Sequence, residues 1–285
     1  MLNSMIRLGA SFAGAFVVAL GLAAGPTGAN DHKPWILLAS TTSTENSGLF
    51  KHLLPIFEKA TSIKVRVVAV GTGQALRLGR NGDVDVLLVH HRASELRFVR
   101  QGHGVKRYRV MYNDFVIVGP RADPARVRGM KDAVAALKRI ARSRSIFTSR
   151  GDDSGTHKKE RDLWRASGVA LRPSLTKWYR ETGAGMGATL NIAAALDGYA
   201  LTDRATWLAF ANKSDLVLLV EGDRRLFNQY GVILVNPARH PRVRKANGQR
   251  FINWLVSRPG QKAIASYRLD GRQLFFPNAA KTGTR

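Results

Sequence analysis

The stretch that decides the fold runs from Ile36 to Val89 and reads ILLASTTSTENSGLFKHLLPIFEKATSIKVRVVAVGTGQALRLGRNGDVDVLLV. It contains three short aliphatic runs of the kind found in buried strands, separated by segments whose apolar residues recur at helical spacing. This β-α-β-α-β order predicts a parallel sheet with right-handed connections, whose carboxyl-end loops are available for a ligand. The predicted strands are 36–39, 65–70 and 84–89, and the predicted helices are 49–60 and 74–80.

The remainder of the chain continues to alternate strand and helix, so two α/β lobes fit the pattern better than one. We predict a lobe 1 of residues 30–114 plus 237–285 and a lobe 2 of residues 115–236, with the chain crossing between them through extended segments near 115 and 236. The further predicted strands are 115–118, 145–148, 216–220 and 231–235, and the further predicted helices are 131–142, 160–167, 186–196, 205–210, 243–257 and 260–266.

The composition excludes several functional classes. The 285 residues include no cysteine, so there is no disulfide framework, no Cys-ligated metal site and no Cys nucleophile. Lys and Arg number 45 against 20 Asp and Glu, a formal charge of +25. Such a charge is typical of proteins that meet nucleic acid, an anionic surface or an anionic small molecule.

The first 29 residues have the pattern of a secretory signal peptide. A basic segment (Met1–Arg7) precedes an apolar one (Leu8–Ala24), and Thr27-Gly28-Ala29 places small residues around a cleavage point after Ala29. The alternative is an uncleaved membrane anchor, but glycine and serine interrupt the apolar run. We therefore predict export to the periplasm, and the lack of cysteine excludes a diacylglyceryl-Cys anchor.

Two loops follow strands of the parallel unit and carry groups suited to an anion. The first loop, Ser40–Thr44, has five consecutive hydroxyls before a helix, where the helix N-terminus already favours negative charge. Thr42 and Glu45 match a capping box, which would use one of these hydroxyls for the helix itself. The second loop, Gly71–Gly73, allows a tight turn and a close backbone approach, although glycines in such turns are common.

The third loop, Ser149–Thr156, is the most specific. It joins a strand to a helix and offers the Arg150 guanidinium, whose planar fork suits two oxygens of a tetrahedral anion. Asp152 and Asp153 would repel a bare anion, so we expect them to cap the helix or to hold Arg150. A well-capped turn with a surface arginine is the alternative. A fourth loop, Thr182–Thr189, resembles the second loop in kind.

Four polar residues after the predicted 186–196 helix have two possible roles. They could face a ligand or bridge the lobes, or they could form an interlobe salt bridge or pack in the core. They are Tyr199, Thr202, Asp203 and Arg204.

Catalytic and cation-binding patterns are weak. Gly151-Asp152-Asp153-Ser154-Gly155 lacks the spacing of a nucleophile elbow. His90 and His91 are adjacent at a strand end, so they point to opposite sides and lack the i,i+4 spacing of a helical metal pair. No RNA-binding or helix-turn-helix motif accompanies the basic segments. We predict no catalytic residue, no bound metal cation, no cofactor and no nucleic-acid partner.

Six segments together resemble the periplasmic tungstate-binding proteins of ABC importers, which are related to molybdate-binding proteins. They are ASTTSTENSGLFKHLLPIFEKATSIKV (39–65), VVAVGTGQALRLGRNGDVDVLLVHH (67–91), VMYNDFVIVGP (110–120), FTSRGDDSGTHKKE (147–160), WYRETGAGMGATLNIAA (178–194) and NQYGVILVNP (228–237). One departure is that Ser40 stands at the start of a motif that usually opens with threonine. The hydroxyl is kept, so function should be kept.

The resemblance implies a type II periplasmic binding protein fold, an α/β fold of two lobes with the ligand in the cleft between them. It also implies a monomeric, non-enzymatic receptor that captures a small tetrahedral oxyanion and delivers it to an inner-membrane permease. The ligand-binding residues implied by these motifs are Ser40, Thr41, Thr42, Ser43, Gly71, Thr72, Gly73, Arg150, Ser154, Gly155 and Thr156.

Three alternatives stay open at this point. The loops do not distinguish tungstate from molybdate, which have the same charge and nearly the same size. A phosphate or sulfate receptor would share the loop chemistry, and a carboxylate facing the ligand would favour the protonated phosphate. From another class, a basic exported protein that binds polyanions would explain the charge, which the resemblance does not.

Overall fold

A computed structural model describes residues 33–171 and 177–279. The predicted signal peptide, 1–29, lies outside these residues. None of the helices described combines the length and apolar character needed to span a bilayer. The strands are β1 (Trp35–Thr41), β2 (Lys64–Val70), β3 (Val86–Val89), β4 (Gly104–Pro120), β5 (Phe147–Ser149), β6 (Tyr179–Glu181), β7 (Ala200–Asp203), β8 (Leu216–Val220), β9 (Phe227–Val235), β10 (Arg268–Leu269), β11 (Arg272–Gln273) and β12 (Phe276–Pro277).

In the part of the chain that the structure describes, ten α-helices are interspersed with these strands, so the predicted α/β class is confirmed. They are α1 (Thr42–Asn46), α2 (Leu49–Thr61), α3 (Thr72–Asn81), α4 (Arg92–Arg100), α5 (Ala133–Ser143), α6 (Gly155–Ser167), α7 (Met186–Ala195), α8 (Arg204–Ala209), α9 (Lys245–Val256) and α10 (Arg258–Ser266). All predicted helices have a counterpart. Helix α6 begins at Gly155 rather than at residue 160, and α4 was not predicted.

The parallel unit predicted from residues 36–89 is confirmed. Strand β1 lies between β2 and β3, and both run parallel to it, with Leu38 opposite Val67 on one side and Val86 on the other. All four residues of β3 are buried, as is typical of a strand covered on both faces. The carboxyl ends of β1, β2 and β3 therefore meet at one edge of the sheet, where the first two loops emerge.

Strand β4 connects the two halves of the molecule. Its residues 104–114 pair antiparallel with β9, and its residues 115–120 pair antiparallel with β7 and β8. The main sheet has the order β12-β4-β9-β3-β1-β2, and β7 and β8 pair with the far end of β4. The strand predicted at 115–118 is thus the end of a 17-residue strand that runs through both packing regions.

The buried apolar side chains form separate clusters on either side of this crossing. Phe57 and Phe251 belong to the first, which includes β1, β3 and β9. Phe147 and Trp164 belong to the second, which includes the last part of β4 and helices α5 and α6. Residues 232–235 on β9 pack into the first cluster. The precise limits of the two predicted lobes remain a prediction.

Candidate oxyanion-binding site

The first loop forms the end of β1 and the start of α1, and its hydroxyls have different partners. Oγ1 of Thr41 accepts from the backbone N–H of Thr44 at 3.3 Å, so Thr41 is the N-cap of α1. The capping box at Thr42 and Glu45, considered as the alternative to an anion site, is not formed as such, because the N-cap is Thr41, which still has the extended backbone of the strand. Oγ of Ser40 donates to the Leu88 carbonyl at 2.6 Å and is therefore used within the sheet.

Because Thr41 caps the helix, the Thr42 hydroxyl is available to the third loop. Oγ1 of Thr42 accepts a hydrogen bond of 3.2 Å from Nη2 of Arg150. The same Nη2 donates to Oδ2 of Asp152 at 2.5 Å. The other carboxylate oxygen, Oδ1, accepts from the backbone N–H of Ser154 at 3.2 Å. Of the two predicted roles for the acidic pair, Asp152 thus holds Arg150, and the N-cap of α6 is Ser154.

Arg150 is buried to an unusual degree for an arginine, with 2 % of its surface exposed. A surface arginine, the alternative considered for the third loop, is therefore excluded. Burying a guanidinium is costly unless its charge and its N–H groups are matched. Asp152 matches the charge, yet the buried Nε has no hydrogen-bond partner among the described residues. At least one donor of Arg150 is thus left for a further acceptor.

Two hydroxyls in the second and third loops are also buried without a hydrogen-bond partner among the described residues. They are Oγ1 of Thr72 and Oγ1 of Thr156. Both side chains are fully buried, and an orphaned buried polar group costs about 1–3 kcal/mol. A negatively charged ligand that accepts hydrogen bonds would remove this cost at Arg150, Thr72 and Thr156 together.

Glycines allow the second and third loops to approach closely. The N–H of Gly73 donates to the Asp153 carbonyl at 3.3 Å. A Cβ atom on Gly155 would lie 2.9 Å from Oγ1 of Thr72, and one on Gly71 would lie 3.3 Å from the Asp152 carbonyl oxygen. Side chains at these positions would force the loops apart, so the glycines are explained by the approach of the two loops.

Backbone amides add further donors. Helices α3 and α7 begin after Gly71 and Gly185, and neither helix has a side-chain cap. Apart from the Gly73 N–H, which donates to Asp153, their first N–H groups therefore have no side-chain acceptor at the cap. Gly71 faces Ser154 of the third loop, and Gly185 faces the Thr42 hydroxyl. The positive ends of two helix dipoles are therefore placed beside the loops, which favours an anion.

His90 is a neighbour of the site that the sequence analysis did not select. Its Nδ1 lies 3.0 Å from Oδ1 of Asn228 and its Nε2 lies 3.4 Å from Oγ of Ser43. Burial lowers the pKa of His90 to about 3, with a smaller contribution from the Arg150 charge, so the ring is neutral. Nδ1–H then donates to Asn228, and Nε2 accepts from Ser43. The position of His90 after β3, at the same sheet edge as the first two loops, was the available signal.

The fourth loop supports the third. Oγ1 of Thr182 donates to the Ser149 carbonyl at 3.1 Å and pairs with Oγ1 of Thr189 at 2.9 Å. Beneath them, buried Glu160 accepts a 2.7 Å hydrogen bond from the Tyr179 hydroxyl. Burial raises the pKa of Glu160 to about 8, so its carboxyl is protonated at neutral pH.

The four polar residues after the predicted 186–196 helix, for which the sequence leaves two roles open, all make contacts within the protein. The Tyr199 hydroxyl donates to Asp123 at 2.8 Å. Arg204 makes two hydrogen bonds to Asp114, and Asp203 caps α8. Oγ1 of Thr202 donates to the Asp203 carbonyl at 3.2 Å. Packing and salt bridges therefore account for these side chains.

The site as a whole offers hydrogen-bond donors with one cation, Arg150, in its three loops. Within residues 33–171 and 177–279, no group of three or more His, Asp or Glu side chains has the geometry to hold a metal cation. Such a set of donors can hold a small anion. Of the predicted residues, the structure places Arg150 against Thr42 and Gly155 against Thr72. It uses Ser40, Thr41 and Ser154 for sheet and cap hydrogen bonds.

A two-lobed α/β architecture with an anion site between strand-to-helix loops defines a class of solute receptors. Residues 23–259 match the family described as the PBP superfamily domain, and the chain belongs to that superfamily. It is 46 % identical over 250 residues to the tungstate-binding protein TupA of Peptoclostridium acidaminophilum, covering 86 % of both chains. The resemblance read from the six segments is thereby confirmed.

Two solved structures give the same result. One is the tungstate-binding protein TupA of Desulfovibrio alaskensis G20, with 49 % identity, a TM-score of 0.74 and coverage of 87 % of this chain and 100 % of that chain. The other is described as the tungstate ABC transporter from Geobacter sulfurreducens, with 49 % identity, a TM-score of 0.75 and coverage of 82 % and 98 %. The predicted two-lobed fold is confirmed.

Proposed function

We propose that this chain is the solute-binding protein of an ABC importer and that it binds tungstate, or its close analogue molybdate, between the three loops. The observation that carries the proposal is a set of buried donors that have no partner among residues 33–171 and 177–279, namely Nε of Arg150 and Oγ1 of Thr72 and Thr156. The three relatives described above, which are 46–49 % identical and are named as tungstate proteins, support the choice of ion.

Binding in this site rests on donors that are already in place. A tetrahedral dianion would accept from Arg150, from the Thr42, Thr72 and Thr156 hydroxyls, and from amides at the start of α3. Each hydrogen bond to a charged group is worth roughly 1.5–3 kcal/mol, so a few of them offset the cost of removing the dianion from water. Asp152 keeps the guanidinium oriented through its 2.5 Å contact, which reduces the reorganisation needed on binding.

The arrangement favours an unprotonated oxyanion over phosphate. A phosphate that carries a proton at neutral pH requires an acceptor beside the ligand. Asp152 is engaged with Arg150 and with the Ser154 amide, and Asp153 pairs with Lys158 at the surface. Neither carboxylate is therefore available as a dedicated acceptor, which supports tungstate and molybdate over the phosphate alternative.

The remaining parts of the proposal follow from this role. We infer a receptor without catalytic activity, exported to the periplasm as a monomer and engaged by an inner-membrane permease. The neutral His90 ring and the cap residues have structural partners that require no reaction chemistry.

Isothermal titration with the purified apo protein tests the function. We expect tungstate and molybdate to bind with one site per chain and to compete with one another. Sulfate and phosphate should bind at least about a hundredfold more weakly, because sulfate is smaller and phosphate carries a proton. Comparable affinity for phosphate and tungstate would overturn the assignment of the ion, and no binding of any of the four ions would overturn the proposed function.

A further inference from the structure

A cavity of about 970 Å³ lies outside the three loops. None of the predicted oxyanion-binding residues lines it, and His90 with its partner Asn228 forms the part of the lining nearest to the oxyanion site. Its lining contains six Arg and Lys side chains against one carboxylate, Asp162. We call this cavity the basic pocket. The basic residues are Arg92, Arg97, Arg100, Arg107, Arg109 and Lys159.

The basic side chains are arranged in rows. Arg92, Arg97 and Arg100 lie on one side of α4, and at 1.5 Å per residue the row is about 12 Å long. Arg107 and Arg109 lie two residues apart on β4, so they share a face of the strand at a spacing of about 7 Å. Lys159 on α6 completes the lining. Guanidinium groups from a helix and from a strand thus border the cavity.

These charges are poorly matched within the protein. Arg92, Arg97, Arg100 and Arg109 form no ion pair with any carboxylate in the described part of the chain. Asp162, the acid of the lining, is already paired with Arg165 outside it. Like charges brought together in this way repel one another, and a bound polyanion would remove the repulsion.

Arg107 gives the pocket a buried anchor. Its side chain is 7 % exposed, and its Nε donates to Oε2 of Glu95 at 2.5 Å. Its Nη2 is buried and has no hydrogen-bond partner among the described residues. Burial raises the pKa of Glu95 to about 7, so this carboxyl neutralises Arg107 only in part near neutral pH. A donor of Arg107 therefore remains for an acceptor in the pocket.

We propose that the basic pocket binds a linear polyphosphate chain of three or more phosphates, independently of the oxyanion site. The cavity is far larger than one tetrahedral ion needs and has the volume of a site for a medium-sized organic ligand. The length of the arginine row matches an extended chain of phosphates, and each guanidinium fork can hold two phosphate oxygens. Phe227, half-exposed in the lining, offers a flat face beside the row.

Inorganic tripolyphosphate is the probe. We expect it to bind the full chain saturably with one site per chain, with an affinity that falls as salt is raised. The double variant Arg97→Glu, Arg100→Glu should weaken binding by at least about thirtyfold. The matched control is Arg242→Glu, Arg250→Glu, which makes the same charge change at exposed positions outside the pocket. It should change the affinity by less than about threefold.

Two further measurements separate this site from the oxyanion site. Tungstate affinity should be unchanged in the pocket variant, and Arg150→Ala should leave tripolyphosphate binding intact. ATP tests whether the triphosphate chain belongs to a nucleotide. If ATP binds more tightly than tripolyphosphate, the ligand is a nucleotide that stacks on Phe227. If ATP binds equally or more weakly, the ligand is an inorganic polyphosphate. The proposal is overturned by a lack of saturable binding, by equal losses in the two double variants, or by displacement of tripolyphosphate by tungstate.

Discussion

Replacement of Arg150 by alanine is the sharpest test of the oxyanion site, because this guanidinium is the one cation in the three loops. The substitution removes the unpartnered Nε donor and the Nη2 contact with Thr42. It also leaves the Asp152 carboxylate without its 2.5 Å partner and close to where the dianion binds. Loss of attraction and gain of repulsion therefore act in the same direction.

The magnitude follows from these contacts. Two charge-assisted hydrogen bonds are worth roughly 3–6 kcal/mol together, of which part is recovered when water enters the space left by the side chain. We expect tungstate affinity to fall by at least about a hundredfold, equivalent to about 2.7 kcal/mol. Arg150→Lys should recover part of the loss, since an ammonium group keeps the charge but lacks the fork.

A double variant tests the role of Asp152. Arg150→Ala combined with Asp152→Asn removes the unpaired carboxylate, so it should bind tungstate more tightly than Arg150→Ala alone. Titration calorimetry supplies the affinities and thermal unfolding checks that each variant is folded. Arg250→Ala, an exposed arginine of α9, is the control and should differ from the parent by less than about twofold. If Arg150→Ala binds tungstate within about threefold of the parent, the site described here is wrong.

Three further predictions concern separate parts of the structure. Thr41→Ala should lower the free energy of unfolding by about 1 kcal/mol in urea titrations, because the α1 cap is lost. Thr42→Ala should leave the free energy of unfolding unchanged and weaken tungstate binding roughly tenfold. Equal stability of the two variants would contradict this assignment of the cap. Because the folded pKa of Glu160 is about 8, above its ordinary 4.5, the native state holds an extra proton and stability should fall between about pH 4.5 and 8. Glu160→Gln should flatten that fall in urea unfolding measured at several pH values, and an unchanged slope would refute the burial argument. Gly155→Ala places a Cβ 2.9 Å from the Thr72 hydroxyl and should weaken tungstate binding in calorimetry. Gly187→Ala, with open space around the added Cβ, is the control and should not weaken it. Equal losses of tungstate affinity in the two variants would exclude a steric cause.

The parallel core was predictable because local pattern and burial agree there. The aliphatic residues of β3 are all buried, and those of β1 are buried except for the half-buried Leu37. Such aliphatic runs are typical of strands covered on both faces. The first half of β4 was not predicted because Lys106, Arg107 and Arg109 interrupt its apolar pattern. Pairing with β9 forms that part of the strand, and a partner more than a hundred residues away leaves no local signal.

The site was predictable in its loops but not in the role of each atom. Thr41 and Thr42 are chemically identical, and the choice of cap depends on the backbone angles at the end of β1, which a hydroxyl pattern does not contain. The contact of His90 with Ser43 depends in the same way on the packing of β3 against β1. Residue type thus indicated where donors collect, and tertiary packing decides which of them a ligand can use.

The high charge and the oxyanion site are separate properties of the molecule. Within the three loops the single cation is paired with Asp152 at 2.5 Å, so the charge of +25 resides almost entirely elsewhere. Charges more than about 10 Å from a site are largely screened at physiological salt, so they affect how often an anion arrives more than how tightly it is held. In the proposed site, selective retention would depend instead on the buried donors of Arg150, Thr72 and Thr156, which have no partner in the described part of the chain. The arginines concentrated around the basic pocket therefore require their own explanation, which a second, larger anion provides.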